Sequence, residues 1–184
     1  MNFKATLVLA GILILLAGAV YYFHLTESGP KQENPPEIWS VDEAKINHIT
    51  ILLPLPKKRI AFFQDKDERW RFDDQTKQEV DLKRWGGIVI LVSGPKSKRL
   101  IAEKVGNLAE FGLTNPQLIV ILGVKGRKDP LEILFGGQTP GEDHYYVKLK
   151  HSTPVYLVHS SYVDVLRRLV LEPPRPVVKK MNVQ

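Results

Sequence analysis

Cysteine is missing from this 184-residue chain. Its absence excludes disulfides, thiolate metal sites, a cysteine nucleophile and a lipidated N-terminal cysteine. It leaves the redox compartment open, because an exported bacterial domain need not use disulfides. Histidine is sparse. His48, His144, His151 and His159 are scattered over expected strands and turns, and none stands at a metal-ligand spacing such as i, i+4 on a helix. His144 and His159 could converge in space, but a turn or surface role is the simpler reading. No Gly-x-Ser-x-Gly elbow surrounds Ser160 and Ser161. The glycine-rich run from Phe135 to Gly141 lacks the Lys and Ser/Thr of a phosphate cradle. Glu142 and Asp143 follow it instead, so it reads as a hairpin connection. The acidic pairs Asp73-Asp74 and Glu142-Asp143 fall in expected turns. No catalytic residue, cofactor site or metal site is therefore assigned, and the expectation is a protein that is not an enzyme.

What is present is an ordinary globular balance, with 43% hydrophobic and 25% charged residues. The net charge of +6 is moderate. It favours anionic surfaces by steering, but basic and acidic residues are too mixed to argue for nucleic acid.

Charge is also missing from Ala5 to Phe23, 19 residues dominated by Leu, Ile, Val, Ala and Gly. As a helix this run reaches ~28 Å, close to the hydrocarbon thickness of a bilayer. Tyr21, Tyr22 and Phe23 close it, where aromatic rings favour the headgroup level. Lys4 precedes it, and Glu27, Glu33, Glu37, Asp42 and Glu43 follow. The positive-inside rule then places the N-terminus in the cytoplasm and the body outside, in or beyond the bacterial cell membrane. The alternative is a cleaved signal peptide, for which Ala17-Gly18-Ala19 is a plausible small-x-small site. The expected organisation is a transmembrane anchor at 1–25, a linker at 26–37, an exported domain at 38–171 and a Pro-rich, extended and mobile tail at 172–184. Pro30, Pro35 and Pro36 mark the linker; Pro173, Pro174 and Pro176 mark the tail.

Within the exported domain, alternating or β-branched runs predict strands at Ile46–Leu53, Arg59–Gln64, Arg69–Phe72, Leu100–Glu103, Gln117–Val124, Leu131–Phe135, Tyr145–Leu149 and Pro154–Val158. Leu82, Trp85, Val89 and Val92 recur at helical spacing behind a capping Asp81, although Gly86 and Gly87 weaken that helix. Tyr162, Val165, Leu166, Leu169 and Val170 form a clearer apolar stripe, with Ser161 and Asp164 resembling a capping box. Strands then a helix occur twice. The expected fold class is α+β: a single N-terminal transmembrane helix, then mainly antiparallel strands with two main helices, arranged as two similar halves. Basic clusters recur at expected loop tips: Lys57, Lys58 and Arg59; Lys96, Lys98 and Arg99; Lys125, Arg127 and Lys128. If these tips share one end they would touch anionic headgroups, cell-wall polymer or an acidic partner; otherwise they are solvated turns.

The run Leu108-Ala109-Glu110-Phe111-Gly112-Leu113-Thr114-Asn115-Pro116 resembles the Leu-x-x-Tyr-Gly-Leu-x-x-Pro signature of the bacterial family called domain of unknown function 4340. Phe111 replaces the usual Tyr. Phe135-Gly136-Gly137-Gln138-Thr139-Pro140 is similar to the family's hydrophobic-Gly-x-x-Thr-Pro turn, and Trp70, Tyr145-Tyr146-Val147 and Val155 to Val158 resemble its flanking strands. The resemblance implies a membrane-tethered, exported α+β module of the kind that accompanies ABC-transporter and gliding-motility components. It carries no catalytic residues across. Physically the signature reads as structural: Gly112 ends a short helix in a left-handed conformation, Phe111 and Leu113 pack inward, and Pro116 blocks helix continuation. The functional expectation is a membrane-anchored, non-enzymatic binding or scaffold module, an accessory subunit contacting other subunits of a membrane complex. The alternative is an envelope enzyme or ligand-sensing domain acting on a polymer, lipid or small molecule.

Overall fold

The computed structural model describes residues 3–26, 37–95, 97 and 99–176. The expected linker, the last eight residues of the tail, Lys96 and Lys98 lie outside these, apart from the ends of the linker. The chain divides into two compact units, Met1–Asn34 and Pro35–Gln184.

The first unit holds helix α1, Phe3–Thr26. Its described side chains run from Gly11 to Tyr22 and are exposed all round. Among the described residues no helix is long and apolar enough to cross a membrane, which corrects the expected membrane-spanning helix.

The second unit is one antiparallel sheet. Its strands are β1 Ile46–Leu53, β2 Lys58–Gln64, β3 Trp70–Phe72, β4 Arg99–Ala102, β5 Leu118–Val124, β6 Leu131–Gln138, β7 His144–Leu149 and β8 Val155–His159. They lie in the order β3-β2-β1-β5-β6-β7-β8-β4. This corrects the expected two-halved α+β fold, because eight strands form a single sheet and helices are few. The two groups of strands do not stand apart: β1 of the first pairs with β5 of the second, Ile49 opposite Leu122. At the far edge β4 pairs with β8, Arg99 opposite Leu157.

Period-2 alternation sorts the side chains. Ile49, Ile51 and Leu53 of β1, Phe62 of β2, Leu118, Val120 and Leu122 of β5 and Val147 of β7 are buried on one face. Three helices supply further core side chains: α2 (Leu82–Trp85), α3 (Ile88–Ser93) and α4 (Ser160–Leu171). The expected single helix over Leu82 to Val92 is broken at Gly86-Gly87, with Gly87 at φ +79°. Trp85 of α2 still reaches the core, its ring 4.5 Å from Phe62. On α4 the buried set is Tyr162, Val163, Leu166, Leu169 and Val170, while Val165 is 37% exposed. The stripe is therefore rotated slightly from the one expected. The cap also differs. His159, not Ser161, accepts the first free amide through Nδ1, 3.2 Å from the Ser161 nitrogen.

The start of the expected mobile tail is docked. The Asp81 amide donates to the Pro174 carbonyl at 2.8 Å, and the Arg84 guanidinium donates to the Glu172 and Pro173 carbonyls at 2.7 and 3.0 Å. Arg175 pairs with Asp74 at 2.8 Å and lies 4.3 Å over the Phe72 ring.

Candidate functional site

Between β4 at one edge and β5 near the middle, the chain crosses the sheet face opposite α4. Alternation puts Tyr146 on that face, and Phe111 meets it edge-on with ring centroids 4.9 Å apart. The crossing carries a 3-10 turn, Leu108–Phe111, capped by the Asn107 side chain. Gly112 follows at φ +65°, its amide donating to Ala109 and that of Leu113 to Leu108, both at 3.0 Å. This is the left-handed stop expected for Gly112. Leu113 is buried and Phe111 half-buried.

The turn packs backbone to backbone on β6. A Cβ at Gly112 would sit 2.6 Å from the Gly137 nitrogen, and one at Gly136 would collide with the Phe111 carbonyl oxygen. Gly136 and Gly137 are thus inside β6, at a register shift between Phe135 and Gln138, and not in the hairpin connection. The turn itself is later, closed by the Glu142 amide on the Thr139 carbonyl at 2.8 Å. The two glycine motifs form one seam, sealed by the Gln117 amide on the Phe135 carbonyl at 2.8 Å.

Past the seam, Asn115, Pro116 and Gln117 form one wall of an open cleft of about 870 Å³. The opposite wall is the β1–β2 turn, Pro54-Leu55-Pro56, with Leu53 and Ile119 between. Arg167 and Leu171 of α4 close the third side. The size and the mainly apolar lining match what small-molecule sites require. Leu55 is 85% exposed on its turn and Leu171 48% exposed, so two large apolar side chains stand at the rim. Half-buried Arg167 donates to the Gln117 side-chain oxygen at 3.3 Å and lies 5.9 Å over the Tyr145 ring. Lys57, Lys58 and Arg59 line a shallower hollow that shares Leu53, Pro54 and Ile119 with the cleft. None of these four cations pairs with a carboxylate among the described residues.

The basic tips do not gather. Leu53 and Leu118 mark the end of the sheet that holds Lys57, Lys58 and Arg59. Lys125, Arg127 and Lys128 follow Val124, which pairs with Ile46 at the opposite end. Arg99 is on the far edge strand, six strands from β2.

His144 and His159 do converge. They are register partners on β7 and β8, with rings 5.4 Å apart. His144 is 7% exposed; Nδ1 meets Asp143 at 2.8 Å and Nε2 is buried with no hydrogen-bond partner among the described residues. The His144 contact, helped by Thr139, holds the Asp143 carboxyl below the usual range. His144, Glu142 and Asp143 line neither the cleft nor its neighbouring hollow. No group of three potential metal-ligating side chains occurs among the described residues. Lys148, on the crossed face, is 5% exposed and among the described residues bonds only the Lys150 carbonyl, at 3.2 Å; burial pushes its ammonium pKa down.

Sequence reasoning missed Arg167, which reads as an outward-facing helix cation, and Leu55, hidden in a turn. The available signal was a large apolar residue between two prolines beside three cations.

No curated protein and no solved structure matches the chain. The profile of the family described as Domain of unknown function (DUF4340) matches residues 70–170. That range runs from Trp70 of β3 to Val170 of α4, contains both halves of the glycine seam, and covers more than half of the chain, so this protein belongs to the DUF4340 family.

Proposed function

We propose that this chain is a non-enzymatic binding module that works at the bacterial cell membrane as an accessory subunit of a larger complex. The observation that carries the binding role is the cleft. It is concave, mainly apolar, and offers a small number of polar groups, Arg167, Gln117 and Asn115, from two elements. The seam packs backbone to backbone on β6 and ties down the wall that carries Asn115, Pro116 and Gln117. Membrane location is supported by α1, whose described apolar side chains, among them Ile12, Leu13, Ile14 and Leu16, are exposed on every side. Such a helix needs an apolar environment. A ligand-sensing role is the second reading, favoured by the same cleft.

The test is isolation of the tagged full chain from its native cells in mild detergent, beside an Ile119→Trp variant that fills the cleft. Recovery from the membrane fraction with stoichiometric partners supports the proposal. A lone monomer from the soluble fraction overturns it.

A further inference from the structure

The cleft combines two features that point to one kind of occupant. Its floor and walls are mainly apolar: Leu53, Ile119 and Leu171 with three prolines, Pro54, Pro56 and Pro116, beside the amides of Asn115 and Gln117. Its charged groups are all of one sign. Arg167 stands inside, Lys57, Lys58 and Arg59 adjoin it, and no carboxylate lines either hollow. Arg167 presents a planar fork of five donors, yet its one hydrogen bond among the described residues is the long one to Gln117. An arginine held half-buried against apolar surface with its fork largely unused is suited to a carboxylate or phosphate.

We infer that the cleft binds a free single-chain anionic amphiphile, with the acyl chain along Leu53, Ile119 and Leu171 and the acidic head on Arg167. This deepens the binding-module reading and rests on it. A peptide is the poorer fit. Each peptide residue brings an N–H and a C=O that must be satisfied when buried. The three prolines lining the cleft supply no N–H, and the amides of Lys57 and Gln117 are already committed to Pro54 and Phe135. An acyl chain has no such demand. The cations at Lys57, Lys58 and Arg59 add a positive field at the mouth, which steers an anion in and makes capture salt-dependent.

The experiment uses the full chain in nanodiscs of neutral phosphatidylcholine, with a palmitate analogue bearing a photoreactive diazirine on its chain. Cross-linked peptides are mapped by mass spectrometry, scoring only the segments around Leu53–Arg59 and Asn115–Ile119. Both segments should be labelled, and unlabelled palmitate should compete. Hexadecanol, which lacks the charge, should compete about tenfold more weakly, the usual worth of a charged hydrogen bond. Arg167→Ala should weaken labelling by about the same factor, with Arg167→Lys between the two. Ile119→Trp should abolish labelling by filling the cleft. Thermal melts establish that each variant is folded. If Arg167→Ala is not, the paired exposed changes Lys57→Glu and Lys58→Glu should still slow labelling at low salt and not at high salt. Labelling of those segments no stronger than of the other peptides of the second unit, or equal competition by hexadecanol, overturns the inference. So does competition by anionic vesicles or by an acidic peptide where palmitate fails; the first would make the site a leaflet contact, the second a peptide site. If partners still co-purify while the cleft stays unlabelled, the amphiphile inference alone fails. If both are lost, the binding reading fails with it.

Discussion

Three glycines separate contact from conformation in the seam. Gly136 is obstructed by contact: an added methyl meets the Phe111 carbonyl oxygen and lies 3.0 Å from Leu113 Cγ. The obstacle is backbone, fixed by the turn that the Leu113 amide closes on Leu108. The crossing segment must lift, so Gly136→Ala should cost about 3 kcal/mol, the upper end of overpacking. Gly126 is the control. Its φ is +85° but nothing lies within 4 Å of an added Cβ, so Gly126→Ala should cost only the left-handed penalty of about 1–2 kcal/mol. Gly112 combines both faults, φ +65° and the Gly137 nitrogen at 2.6 Å. Gly112→Ala should cost about 3–5 kcal/mol, with neighbouring terms only partly additive. Urea unfolding of the full chain reads this through the fluorescence of Trp39, Trp70 and Trp85, all buried. A shift in midpoint at constant slope isolates stability. The expected order of cost is Gly112, Gly136, Gly126. A Gly136→Ala cost at or below that of Gly126→Ala would refute the tight seam.

Asp74 is held at about 2 by Thr76 and Arg175, below its ordinary 3.8. A depressed carboxyl contributes stability that is present above 3.8 and lost as pH falls towards 2. Arg175→Ala should therefore flatten the acid limb of a pH–stability curve and cost only about 0.5–1 kcal/mol at neutral pH, because the pair is partly exposed. Lys148 behaves in the opposite sense. Its folded value lies below 10.5, so the unfolded chain binds more protons and stability rises as pH climbs towards 10.5. Lys148→Met should remove that slope, read by thermal melts across alkaline buffers, and a retained slope would assign it elsewhere. His159→Ala should cost about 1 kcal/mol by uncapping α4, with His159→Asn restoring most of it, measured by urea unfolding; equal losses would remove the capping role.

Legibility followed range. Ile46–Leu53 and Leu118–Val124 read as strands because both are short apolar runs rich in β-branched residues, a composition that suits a buried strand. The stop at Gly112 was readable for the same local reason, since only glycine takes that turn without strain. Strand order was not. Nothing near Ile46–Leu53 encodes that its second neighbour is β5, so the repeated strands-then-helix order suggested halves where one sheet forms. The helix from Leu82 broke because two adjacent glycines outweighed four apolar residues at the right spacing. The cleft was the least legible feature. It joins Leu55, Pro116 and Arg167, which no single stretch of sequence brings together. Arg167 looked like solvent-facing helix surface because its role depends on a loop 50 residues earlier, at Gln117.

The far-edge position of β4 also governs the order of events as the chain acquires its shape. Arg99 must wait for Leu157, 58 residues further on, before its strand has a neighbour. Closing so long a loop is slow, and it gains nothing until β8 is in place. Until then β4 has no edge to join, so that end of the sheet is completed last, after the Gly112 turn can already seat on β6. A chain interrupted between Ala102 and Leu118 would hold β1, β2 and β3 as a hairpin-linked ribbon with an open flank, a species prone to pair with its own copies.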